Sequence, residues 1–259
     1  MFAALYGQFS PYDWRDPESD RDPYALFYQR SLAMGWHDDR SAGGGSEEAM
    51  VRAPGLWAMN DAGWDHPLAD PDAALVSWFQ VEASAVPDDR PLPVRPFLRC
   101  AEDATARVGT LTLTAVHLVI PVQGLDASSR PAYAPSPSML TVHWFAERDP
   151  RASTSVEISL NSGEGPSVAA VARELVDIVG ELDQDVFVVR SFDVSGQTDA
   201  SAVPVADGFW NGPPMQGVVL RGELAEWSCD AIGWTIEVIA DSLAQLKLAS
   251  PLLATVVRA

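Results

Sequence analysis

Lysine is nearly missing from this chain: 16 of its 17 basic residues are arginine, and Lys247 stands alone. A phosphate-binding GxxxxGK[ST] loop is absent. A Schiff base, whether to a carbonyl substrate or to pyridoxal phosphate, would have to use Lys247, near the end of an expected helix. Cysteine is as scarce. Cys100 and Cys229 are the only thiols and show no CxxC spacing, which argues against both a disulfide framework and a cysteine zinc site. The four histidines, His37, His66, His117 and His143, make no HExxH helix and no cluster with ligand spacing, and no GxSxG elbow is present. No metal and no cofactor is expected. Long apolar runs are also lacking, since none approaches the roughly 18 residues of a membrane span. The segment Met1–Gly7 has no basic region of the signal-peptide kind, so the expectation is a cytoplasmic protein without membrane contact.

Positive charge is the next shortage. Against 17 Lys and Arg stand 36 Asp and Glu, a formal net charge of −19. Such a surface repels phosphate backbones, and nucleic acid is not an expected partner. The excess sits at the two ends: residues 1–74 carry 13 acids against 5 bases, 75–150 carry 8 against 6, and 151–259 carry 15 against 6. The acidic stretch Asp13–Asp22 lacks the glycine and closing glutamate of an EF-hand loop and is interrupted by arginines, so it reads as a solvated turn.

Apolar material, in contrast, is ample. Of 259 residues 47% are hydrophobic, with 9 Trp, 9 Phe and 5 Tyr, enough for a sizeable core. Residues 1–74 read as an irregular N-terminal wrap with one helix, which Asp22 caps, Pro23 opens and Gly35 ends, burying Tyr24, Phe27, Tyr28 and Leu32. Residues 75–259 read as an α+β domain, continuous with that wrap in one globular unit. Its strands are expected at Leu75–Glu82, Thr110–Ile120, Met139–Ala146, Ser155–Leu160, Asp185–Val194, Gly217–Leu224 and Leu252–Arg258. Helices should start after Ser167 and Ser228, each serine accepting bonds from otherwise orphaned N–H groups. The fold class is thus α+β, a mixed or antiparallel sheet with helices on one face. Residues 155–258 spell strand-helix-strand twice, the pattern of a ferredoxin-like split βαβ unit.

Three places carry candidate chemistry. His117 and His143 lie in strand-like segments that, paired as antiparallel neighbours, would share a face with Glu147. An imidazole beside a carboxylate under the cover of residues 121–138 would be an acid–base site. Cys229, at a helix start, is where a dipole can activate a thiol, but neighbouring Glu226 and Asp230 oppose that, and a buried small hydrophobe is the better reading. The turn Ser162–Ser167 carries Gly163 and Gly165 where a dinucleotide fingerprint would lie. Pro166 and Glu164 spoil it. A fourth place points to recognition: the long connection between Ser195 and Gly217 holds Phe209, Trp210 and Asn211 beside two prolines, which suits a partner surface.

Two functions are consistent with this. The leading one is a non-catalytic acidic cytoplasmic binding protein, of the inhibitor or immunity type, that meets a basic protein partner with Phe209, Trp210 and Asn211 as anchors. The alternative is a cofactor-independent enzyme acting on a small organic molecule through His117, His143 and Glu147. An enclosed pocket where those three converge would favour the enzyme.

Overall fold

Eight segments pair into one antiparallel sheet in a computed structural model, which describes residues 1–14, 22–38, 55–65, 74–84, 86, 91–125, 150–164, 167–182, 185–195, 210 and 216–259. In chain order they are β1 (Phe2–Pro11), β2 (Trp57–Gly63), β3 (Leu75–Ala83), β4 (Gly109–Ile120), β5 (Thr154–Asn161), β6 (Phe187–Ser195), β7 (Gly217–Leu224) and β8 (Leu252–Arg258). The helices are α1 (Pro23–Ala33), α2 (Val94–Ala106), α3 (Ala172–Glu181) and α4 (Cys229–Gln245). Strand order across the sheet is β2-β3-β1-β4-β8-β5-β7-β6. Every pairing between these eight described strands is antiparallel, which favours the antiparallel over the mixed option.

The helices cover one face. Phe27 of α1, Leu98 of α2, Leu175 of α3 and Ile236 of α4 share a core with Leu5, Phe79, Leu118, Ile158 and Leu220 of the strands. Phe2, Ala4, Tyr6, Trp78, Val119 and Leu253 form a separate cluster on the opposite face. Among the described residues no helix is long and apolar enough to cross a membrane.

The local signals for α1 and α4 act as the sequence suggests, and Ser167 caps a 3-10 turn, Val168–Val171, that leads into α3, whose own N-cap Val171 makes no side-chain bond. Asp22 accepts from the Tyr24 N–H at 3.0 Å, Ser167 from Ala169 at 3.2 Å and Ser228 from Ala231 at 3.1 Å. The buried stripe of α1 is rotated from the expected one, to Pro23, Phe27 and Ser31, which leaves Leu32 exposed. The irregular wrap expected over residues 1–74 needs correction, because it misses two strands. Phe2–Leu5 is apolar without alternation, having a covered face on both sides of the sheet, and β1 runs between β3 and β4. The segment expected at Met139–Ala146 lies outside the described residues.

The sheet repeats itself on a larger scale than residues 155–258. Residues 2–120 run β-α-β-β-α-β, and so do residues 154–258. Numbered within each half, both have strand order 2-3-1-4, and the two fourth strands, β4 and β8, pair at the seam. The edge strands even share an irregularity: the register slips between Met59 and Asp61 in β2 and between Val189 and Ser191 in β6, leaving Asn60 and Arg190 as the extra residues. Following the registers inward from these slips makes Gln80 equivalent to Arg221, Phe2 to Glu157, Val119 to Val257, and His117 to Thr255. His117 also faces Thr255 across the seam. A pseudo-twofold axis therefore passes between these two residues.

On the helical side the halves meet where α2 crosses α4. A Cβ on Gly233 of α4 would sit 2.5 Å from the Arg95 Cα of α2, so only glycine allows this approach. Gly233→Val is expected to force the helices apart and cost about 2 kcal/mol, within the range for overpacking a tight contact. Urea denaturation checks it, and an unchanged midpoint would show that the crossing can slide.

Candidate functional site

The face of the sheet opposite the helices places one residue of each strand in a straight row: Gly63, Trp78, Ala4, His117, Thr255, Ser159, Val219 and Asp193, each paired with the next. Side chains opposite one another on antiparallel strands stand roughly 5 Å apart, so His117, Thr255 and Ser159 are neighbours. The two halves of this face have opposite character. Where the first carries Phe2, Ala4, Tyr6 and Gln80, the equivalent positions of the second carry Glu157, Ser159, Asn161 and Arg221. Phe2 stacks on Trp78 with centroids 6.1 Å apart, and Arg221 bonds Glu157 at 2.9 Å and also Asp193. An aromatic plateau thus meets a charged one at the axis.

His117 stands at that boundary, half-buried, with the Tyr6 ring 4.4 Å away. Burial lowers its pKa from 6.5 to about 4, so the ring is neutral at physiological pH. A base that weak is poorly matched to proton abstraction near pH 7. Both cross-strand places beside it are held, by Ala4 and Thr255, so the neighbour pairing through which His143 and Glu147 were expected to reach it is not made there. His143 and Glu147 themselves lie outside the described residues.

The depressed pKa has a measurable sign. Between about pH 6.5 and 4 the unfolded chain protonates this imidazole and the folded chain does not, so stability falls as pH falls through that window. At most about 1.4 kcal/mol is lost per pH unit, and about 2 kcal/mol in total once partial solvent contact is allowed for. His117→Gln is expected to remove this pH dependence, so the wild-type-minus-variant difference in unfolding free energy should fall as pH falls through that window. A difference that stays constant with pH would refute the assignment.

Of the expected anchor, Phe209 and Asn211 lie outside the described residues. Trp210 rests half-buried against the cluster of Phe2, Tyr6 and Trp78. A cleft of about 420 Å³ opens near one end of the sheet, lined by Met1, Asn60, Gln80, Glu82 and Ser84. His117 is not in its wall.

The remaining candidates resolve locally. Cys229 is buried at the first turn of α4, and burial, with the carboxylates of Glu102, Asp230 and Asp103, drives its thiol pKa well up. Burial likewise pushes Cys100 up to about 12. Neither is a nucleophile in this state. In the Gly163 turn, where φ is +65°, the Gly163 N–H donates to Asn161 Oδ1 at 2.8 Å and the Val168 N–H to Ser162 Oγ at 3.0 Å. Side chains of the turn itself therefore take amides that a phosphate would need. Among the described residues no group of three or more His, Cys, Asp or Glu is placed to hold a metal ion.

Sequence reasoning missed the solvent face of α3. Opposite its buried residues Ala172, Leu175 and Val179, this helix exposes Glu174, Asp177 and Glu181, with exposed Asp185 just beyond. Three- and four-residue spacing puts the three helical carboxylates on one stripe. The signal was available in the sequence, at the positions complementary to the apolar ones.

The chain matches no protein-family model, no curated protein and no solved structure.

Proposed function

We propose that this is a non-catalytic cytoplasmic binding protein of the inhibitor or immunity type, which meets a basic protein partner through its carboxylates. The observation that carries the reading is the α3 stripe. Like charges at such spacings cost a helix about 0.2–0.5 kcal/mol per pair. Glu181 further opposes the dipole at the C-terminal end, where no basic residue stands in the last turn. Glu174, in the first turn, suits the dipole, but Asp177 and Glu181 repel one another, and an exposed acidic stripe that gives its own helix so little fits a role outside it. With a net charge of −19 behind them, they would steer a cationic partner and occupy a site made for phosphate. The fold reading that accompanies this is a tandem pair of ferredoxin-like units, of which the second presents the acidic face.

Affinity capture from the native host tests it. A protein with a basic isoelectric point should be retained at low salt and released at high salt. Retention of an acidic partner, or of none at either salt, would overturn the reading.

A further inference from the structure

The two edge strands occupy equivalent positions, yet only one is covered among the described residues. Beside β2 the chain returns over Trp36–Asp38. The Leu56 N–H donates to the Trp36 carbonyl and the Asp38 N–H to the Trp57 carbonyl, both at 2.7 Å, and His37 bridges Trp57 in parallel. Farther along the same edge the Ala62 N–H is taken by Asp61 Oδ1 at 2.8 Å. Among the described residues the other half shows no counterpart, and its connection from Glu181 of α3 to Phe187 of β6 is too short for a return strand. Five residues of β6, Val188, Arg190, Ser191, Asp193 and Val194, are exposed. Val188 pairs with Glu223 on the face opposite the helices and Val194 with Val218 on the helical face, so an incoming strand would find an apolar neighbour on each side.

Along Val188–Val194 alternate residues of this edge turn their backbone groups outward, a template for strand addition. Charge selects the occupant. The helix packed over β6 is α3, with Glu174, Asp177 and Glu181 outward and Asp185 in the turn between helix and strand. A second copy of this chain would bring the same carboxylates toward these and be repelled, whereas a cationic segment would be attracted. At the Arg190 bulge the guanidinium lies 4.0 Å from Glu223, which offsets its charge toward a cationic neighbour.

We infer that the outer edge of β6 docks an extended, arginine- or lysine-rich segment of the partner, which adds to the sheet as one more strand and is drawn there by the carboxylates of α3 and by Asp185. This rests on the basic-partner reading above and specifies its mode. It differs from simple charge attraction in needing backbone hydrogen bonds.

A short peptide alternating arginine and valine, and the same peptide N-methylated at alternate backbone nitrogens, provide the test with the full chain. Methylation removes backbone donors and keeps the charge. The unmethylated peptide is expected to bind at least ~10-fold more tightly and to slow amide exchange across residues 187–195. The triple variant Glu174→Gln, Asp177→Asn, Glu181→Gln should bind it at least ~10-fold more weakly. Equal, salt-sensitive binding of both peptides would overturn strand addition while leaving the basic-partner reading in place. So would exchange unchanged over 187–195, or a dimer of the chain joined through β6. Failure of both peptides to bind at low salt would sink the two proposals together.

Discussion

Truncating Trp57 to alanine is expected to cost about 3–5 kcal/mol, the range for removing a large aromatic from a closed core. The side chain is fully buried where β2 meets the helical layer, its ring 6.0 Å from Phe27, 6.0 Å from Phe97 and 5.7 Å from Trp36. Its indole N–H donates to Ser31 Oγ at 3.2 Å, and that hydroxyl in turn lies 3.4 Å from Cys100 Sγ. The alanine variant therefore leaves a void and also a buried hydroxyl that has lost its donor. Urea denaturation at constant slope should show the loss. A change under about 1 kcal/mol would mean that the neighbouring rings collapse into the space.

The second large effect is expected at Asp230. This nearly buried carboxylate in the first turn of α4 bonds the Arg99 guanidinium and lies 3.6 Å from Arg95, both on α2. The contact is reciprocated, since Glu237 of α4 accepts from the Arg95 backbone N–H at 2.8 Å and so serves the open start of α2. Asp230→Ala leaves Arg95 largely enclosed without this partner. Removing one member of a buried pair costs about 3–5 kcal/mol, and about 3 is expected here because Arg99 is 41% exposed and partly recovers its hydration. A double-mutant cycle with Arg99→Ala isolates the pair. Coupling below about 0.5 kcal/mol would assign the loss to the helix start alone.

What could be read in advance followed the strength of local signals. β5 alternates wet and buried positions, and β7 and β8 are bounded by glycine, serine and proline, so their limits were visible. β2 contains Asn60, Asp61 and Gly63, poor strand formers that an edge tolerates. α2 was hidden for a different reason: prolines at 91, 93 and 96 resemble a loop, and Pro93 at its cap position offers no side-chain bond. Its first turn is completed by Glu237, more than a hundred residues away, which no local pattern announces. The candidate site divides similarly. The Ser167 and Ser228 caps and the burial of Cys229 were legible, whereas the place of His117 between Ala4 and Thr255 depends on strand order, and strand order is a property of the assembled sheet.

Because His117 faces its own counterpart across the seam, β4 and β8 meet as the matching strands of two identical protomers would. Severing the chain between residues 125 and 150 would leave two fragments, each with all six of its elements and a ready-made mating surface. Co-expressed, they should find one another without a covalent tether.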